Sequence, residues 1–185
     1  FNPKIAPHIS NALGKANLKR IIKLNAKAAL GAITPTELRE LQDLCRRYLP
    51  VPKPGEMLRK VITLADVEKY YLDSRHLPSV RKFVAKAKDY EVSSARNMIE
   101  YLRLDYKGTG FKSNEGFAII EFPYLGETKI MHPFEVPNIL TDNPAPYTNT
   151  GMSGSSRTII PEYYLSEEGI SLPQGTQLTI YDQRG

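Results

Sequence analysis

The residues best suited to chemistry in this chain gather between Lys129 and Tyr164. His132 is one of three histidines and ends a short alternation of residue types just before a long polar segment. Residues 149–164 then read NTGMSGSSRTIIPEYY, with Arg157 set among Ser155, Ser156 and Thr158. Cleaving RNA through its own 2′-hydroxyl asks for a base to take that proton, a cation to stabilise the pentavalent phosphate, and an acid for the leaving oxygen. His132 suits the role of base or acid, and the Arg157 fork suits a phosphate. Lys129 adds neutralising charge, although strict strand alternation puts it on the face opposite His132. Thr158 and Tyr163 complete the catalytic set as hydroxyl donors, and Ser155 and Ser156 are the substrate contacts. Tyr147, with its aromatic neighbours, offers a ring face on which an unpaired base stacks. This mechanism calls on neither cofactor nor metal. The plain structural alternative is a surface histidine beside Pro133 and an Arg157 paired to Glu162.

Two other constellations compete. Glu127 and Lys129 follow an apolar run containing Glu121, a faint likeness to the Glu-x-Lys end of metal-dependent nucleases. Such a site needs a further carboxylate to hold Mg²⁺, with Glu115 and Glu121 the nearest on offer. In the other, Arg103 is followed by Ser153, Ser155 and Ser156 and then by Glu162 or Glu167. That is the chain order of arginine, serine step and glutamate in ADP-ribosyltransferases, although Arg103 falls in a helical pattern. Neither glycine loop, at 108–110 or 151–156, is followed by the Lys-Ser/Thr of a Walker loop. The lone cysteine, Cys45, lies in a helical pattern and reads as a buried apolar residue; one cysteine makes no internal disulfide.

These residues must be positioned by two unlike halves. Residues 1–112 hold 22 Lys/Arg against 11 Asp/Glu, a charge of +11, and residues 113–185 hold 3 against 9, a charge of −6. A basic helical face suits a polyanion. A helix is expected over 11–30 with Leu13, Ile21, Leu24 and Ala28 inward and Gly31 beyond its end. Thr34, Pro35 and Glu37 mark the capped start of a second helix running to about Tyr48. After a proline-rich stretch at 50–55, the pattern predicts helices over 64–73, 79–89 and 95–104. Strands are expected at 116–122, 127–132, 157–160 and 177–181, with a long loop over 137–156. The fold class is therefore α+β. The expected division is 1–106, a helical region of entry or linker plus helices packing on the sheet, and 107–185, a β-rich effector domain.

Other classes are bounded by composition. No apolar run is long enough for a transmembrane helix, so no stable membrane insertion is expected. The start, FNPKIAPHIS, has no signal-peptide core and reads as a processing boundary or a domain cut from a longer protein.

The stretches AKAALGAITPTELRELQDLCRRYLP and SSRTIIPEYY, in a chain ordered helices then strands, resemble the C-terminal toxin regions of bacterial polymorphic toxins, especially contact-dependent growth-inhibition effectors. The resemblance implies helices packed on an antiparallel sheet, as in barnase, EndoU and colicin-type ribonucleases. It implies a toxic endoribonuclease, often directed at tRNA and blocked by a cognate immunity protein. Its location would be a secreted or cell-surface origin and the cytoplasm of a target cell. A non-catalytic module docking an acidic partner on the basic helices is the alternative from another class.

Overall fold

The computed structural model describes residues 3–73, 75, 78–137, 149–166 and 168–182. Two helices lead: α1 (Pro7–Ala29) and α2 (Pro35–Tyr48). Helix α1 is interrupted at Gly14, whose φ of +73° suits a residue without a side chain. Its buried stripe includes Leu13, Ile21, Leu24 and Ala28, as the spacing predicts. At its end the amides of Gly31 and Ala32 reach back to the carbonyls of Ala28 and Lys27, closing the last turn. Helix α2 opens on the expected capping box: Thr34 accepts from the Glu37 amide, and the Glu37 carboxylate accepts from the Thr34 amide. A hydrogen bond from Lys27 then helps hold the Glu37 carboxyl down at about 2.

The next strand, β1 (Met57–Thr63), lies in a segment for which no element is expected. Thr63 caps a short helical stretch as expected, α3 (Leu64–Asp66) widening into a π-helical turn, Val67–Leu72. The helix expected at 79–89 is absent. Its place is taken by β2 (Ser79–Val80), β3 (Phe83–Lys86) and a 3₁₀ turn, Ala87–Asp89. The spacing of Val80, Phe83, Val84 and Ala87 fits a helix, but Lys82 has a φ of +62°, which no right-handed helix accommodates. Pairing on both sides of β3 overrides local propensity. Helix α4 (Ala95–Leu102) is capped by Ser94, and β4 (Phe117–Pro123) follows where expected.

The last strands are β5 (Tyr163–Tyr164), β6 (Ile170–Ser171) and β7 (Gln177–Tyr181). They complete a five-stranded antiparallel sheet in the order β5-β3-β1-β4-β7 and a separate β2-β6 pair. The return strand expected at 127–132 does not form, because β1 and β7 already occupy both edges of β4. Only Met131 makes a bridge, to Tyr164. Residues 157–160 are not a strand either; Thr158 bridges Lys4 at a single point. The fold is α+β, with helices leading into an antiparallel sheet. The boundary expected at 106/107 cuts across that sheet, which draws β1 and β3 from before it and β4, β5 and β7 from after it.

Alternation along β1 and β4 builds two apolar layers. Leu58 and Ile62 join Ala118, Ile120 and Phe122 on one face, and Val61 joins Phe117 and Ile119 under Ala95 and Met98 of α4 on the other. A third cluster packs the α1–α2 hairpin onto Met152 and Ile159. Thus residues 149–162 are wedged between helices and sheet. Asn25, buried in α1, donates to the Ser155 carbonyl at 2.6 Å and to that of Thr158 at 3.4 Å. Removing this donor strands buried carbonyls, a loss of about 1–3 kcal/mol. Asn25→Ala is expected to lower unfolding stability by at least that much in urea denaturation; an unchanged midpoint would mean that water replaces the bond.

Candidate active site

A cleft opens where the sheet splits. Strands β1 and β4 pair along seven residues, but β1 pairs β3 only at Leu58↔Lys86 and Arg59↔Ala85. Beyond that point β3 turns to β5, pairing Phe83 with Tyr164 and Val84 with Tyr163. The Lys60 ammonium bridges the gap, donating to the Phe83 carbonyl at 2.8 Å. Lys60 shares its sheet face with Leu58 and Ile62, so this lysine occupies a position that alternation assigns to the core.

The cleft measures about 470 Å³. Lys60 and Glu162 line it, together with Lys82 and Asp66. Burial pushes the Glu162 carboxyl up to about 8 against the opposing pull of Lys60. Burial also pushes the Lys60 ammonium down to about 8 against the opposing effect of Glu162. The same low-polarity setting thus brings an acid and a base to one pH range, as desolvation does for both charge types. Arg103 enters from the end of α4, where it holds a left-handed φ of +51°. Its guanidinium bonds Asp105 at 3.0 Å. Tyr106, partly exposed, and Phe111 contribute rings. Residues 149–154 form another wall. Among them Gly151 has a φ of +79°, and a β-carbon there would stand 2.8 Å from the Phe134 ring.

Arg59, also on the lining, is held rigidly. Its guanidinium bonds Glu121 at 3.0 Å and the Tyr90 carbonyl at 2.7 Å, and lies over the Tyr90 ring.

The histidine constellation does not assemble. His132 is buried, stacked on Phe134 and tilted against Tyr163, and burial lowers its pKa. Arg157 pairs with Glu100 at 2.7 Å, not with Glu162. It lines a separate depression with Ser155 and Ser156. Thr158 is buried, its hydroxyl donating to the Tyr101 carbonyl at 3.0 Å. Tyr163 is a core ring whose hydroxyl reaches the Leu49 carbonyl. Lys129 is exposed. Tyr147 and Glu167 lie outside the described residues. Apolar packing took His132 and Tyr163 inward, while Arg157 stayed at the surface.

Nor do the carboxylates of the Glu-x-Lys constellation converge. Glu121 is engaged by Arg59, and Glu127 accepts from the Leu125 amide. Among the described residues no group of three or more His, Cys, Asp or Glu side chains is placed to hold a metal ion. The remaining constellation fares differently. Arg103, Ser153, Gly154 and Glu162 all line the cleft, although Arg103 ends a helix and is not on a strand. Sequence reasoning missed Lys60, Lys82 and Arg59. The available signal is a lysine at period two between Leu58 and Ile62, in a segment for which the sequence predicts no strand.

No protein-family model matches the chain, and no curated protein or solved structure matches it either.

The pair sets a pH signature. Glu162 keeps its proton in the fold up to about 8, whereas the ordinary carboxyl loses it near 4.5. Between these values the folded state binds the extra proton, so this group makes stability fall as pH rises. Lys60 acts in the opposite sense between about 8 and 10.5, where the unfolded chain holds the extra proton. Glu162→Gln is expected to flatten the decline below pH 8. Urea unfolding at a series of pH values checks this; a slope equal to that of the unmodified protein would remove Glu162 as its source.

Proposed function

We propose that this chain is an endoribonuclease that cleaves RNA in the Lys60–Glu162 cleft and acts as a toxin. The observation that carries the reading is a carboxyl and an ammonium, both brought by burial to about 8, in one cleft with cations and rings around them. In the ionised form, Glu162 takes the proton of a ribose 2′-hydroxyl. The 2′-oxygen attacks the adjacent phosphorus, the bond to the 5′-oxygen breaks, and the Lys60 ammonium gives that oxygen a proton. The products are a 2′,3′-cyclic phosphate and a free 5′-hydroxyl. Arg103 and Lys82 offset the charge that develops on the phosphate. Tyr106 and Phe111 offer faces for an unpaired base. The basic residues of 1–112 attract the rest of the strand, a tRNA being the substrate class that the toxin resemblance favours. A cognate immunity protein would act by covering the cleft.

A second reading rests on the shared lining of Arg103, Ser153 and Glu162, the side chains that ADP-ribosyltransferases bring to NAD. Under it, Glu162 acts as a carboxylate and Lys60 transfers no proton.

The two readings part in solution. Incubation with RNA is expected to give discrete fragments with cyclic phosphate ends; release of nicotinamide from NAD with intact RNA would establish the second reading instead. Cleavage needs Glu162 ionised and Lys60 charged, so its rate is expected to peak near pH 8 and fall on both sides. A rate that climbs to a plateau would remove Lys60 as the acid. Glu162→Gln and Lys60→Met should each cost about 10²–10⁴-fold in cleavage. Folded His132→Ala should keep it.

A further inference from the structure

Beside the cleft lies a more open depression of about 380 Å³. Arg103 lines both, and the chain passes directly from Gly154 in the cleft to Ser155 in the depression. Helix α4 supplies one side. Arg96 and Glu100 stand one turn apart and Arg103 follows at the helix end, while Ala95, Met98 and Leu102 turn to the core. The other side is Ser155, Ser156 and Arg157, and Ser113 approaches from the loop before β4. Three arginines and three serines therefore line one hollow, with Ser155 buried in its wall. Two carboxylates share it: Glu100, bonded to Arg157 at 2.7 Å, and Asp105, bonded to Arg103 at 3.0 Å. The charged side chains of the lining sum to one positive charge. Arg103 also donates to the Gly154 carbonyl at 3.5 Å, and a guanidinium carries five N–H donors in a fork matched to oxyanions, so one that holds a carboxylate also serves a phosphate.

We propose that this depression holds a second phosphate of the substrate whose scissile bond lies in the cleft, an inference that rests on reading the cleft as the site of RNA cleavage. The strand then runs from Glu162 across Arg103 to Arg96 and Arg157. The preferred substrate is accordingly an unpaired segment of several nucleotides, not a single nucleotide. Arg157 and Ser156 serve as phosphate contacts one step away from the chemistry, while the buried Ser155 accepts from the Arg157 amide and braces the turn that carries them. Arg103 stands between the two phosphates and touches both hollows.

Arg96→Gln and Arg157→Gln in the whole chain test this, because neither residue lines the cleft. The probes are a 2′-O-methylated hexanucleotide, which has no 2′-hydroxyl to attack, and a dinucleoside monophosphate, which carries one phosphate. Each variant is expected to weaken hexanucleotide binding about tenfold or more. Each should also lower the salt slope by about 0.7 per lost contact, as for single strands. Binding of the dinucleoside monophosphate should not change. On cleavable hexanucleotide, KM should rise while kcat holds. Unchanged affinity and slope in both variants would overturn the proposal, and so would failure of the unmodified protein to bind the hexanucleotide at low salt. If Glu162→Gln cleaves normally while the arginine variants bind weakly, the cleft reading fails and the phosphate site stands.

Discussion

The structure depends on a buried segment that is neither helix nor strand. Residues 149–162 run between the helical hairpin and the sheet, mostly buried apart from Ser156 and Arg157, so most of this irregular backbone must find partners within the protein. Its polar groups find partners in three helices. Asn25 of α1 serves Ser155 and Thr158, Gln42 of α2 serves Asn149, and Cys45 approaches Thr150. At the end of α4 the Tyr101 carbonyl accepts from both Ser153 and Thr158. The segment also braces itself: the Glu162 amide bonds the Gly151 carbonyl and the Ser153 amide bonds that of Ile160. Each bond fixes the wall from which Glu162 is presented.

That brace sets the electrostatics. β3 leaves β1 to pair with β5, whose first residue follows Glu162 directly. The split lets a lysine sit on a sheet face that is otherwise apolar, and the wedge brings a carboxyl to it. Both are half-buried, and the partial loss of water moves each toward neutrality. The tight approach of Gly151 to Phe134 and the engagement of Arg59 by Glu121 and Tyr90 keep the surroundings stiff. A cleft built this way is preorganised, which general acid–base chemistry rewards.

Legibility in the sequence followed the range of the interactions. The stop of α1 at Gly31 and the capping box at Thr34 are set by residues within a turn of each other, and both formed as read. Strand β4 was legible because its apolar run pairs on both sides and is buried on both faces. Residues 79–89 misled, since their apolar spacing serves a helix as well as a strand and the choice belonged to β1 and β5. Residues 127–132 alternate like a strand but found no free edge on β4. The cleft is half legible: Glu162 and Arg103 stand among the candidate residues of the sequence, whereas Lys60 does not, because the sequence predicts no strand in the segment that forms β1.

From the sequence alone came the leading helices, the stop of α1 at Gly31, the capped start of α2, and the division of charge between a basic and an acidic half; the start of α1, expected at about 11, lies instead at Pro7. These rest on local chemistry and composition, which do not wait for the chain to fold. Which cation would meet which carboxyl was decided only in three dimensions. His132, the residue with the most suitable intrinsic pKa, was packed against Phe134 and Tyr163 because an imidazole is also a flat ring that fills a core. Lys60 and Glu162, with ordinary values far from neutral, were moved toward it by burial, a property that a separation of 102 positions in sequence does not reveal.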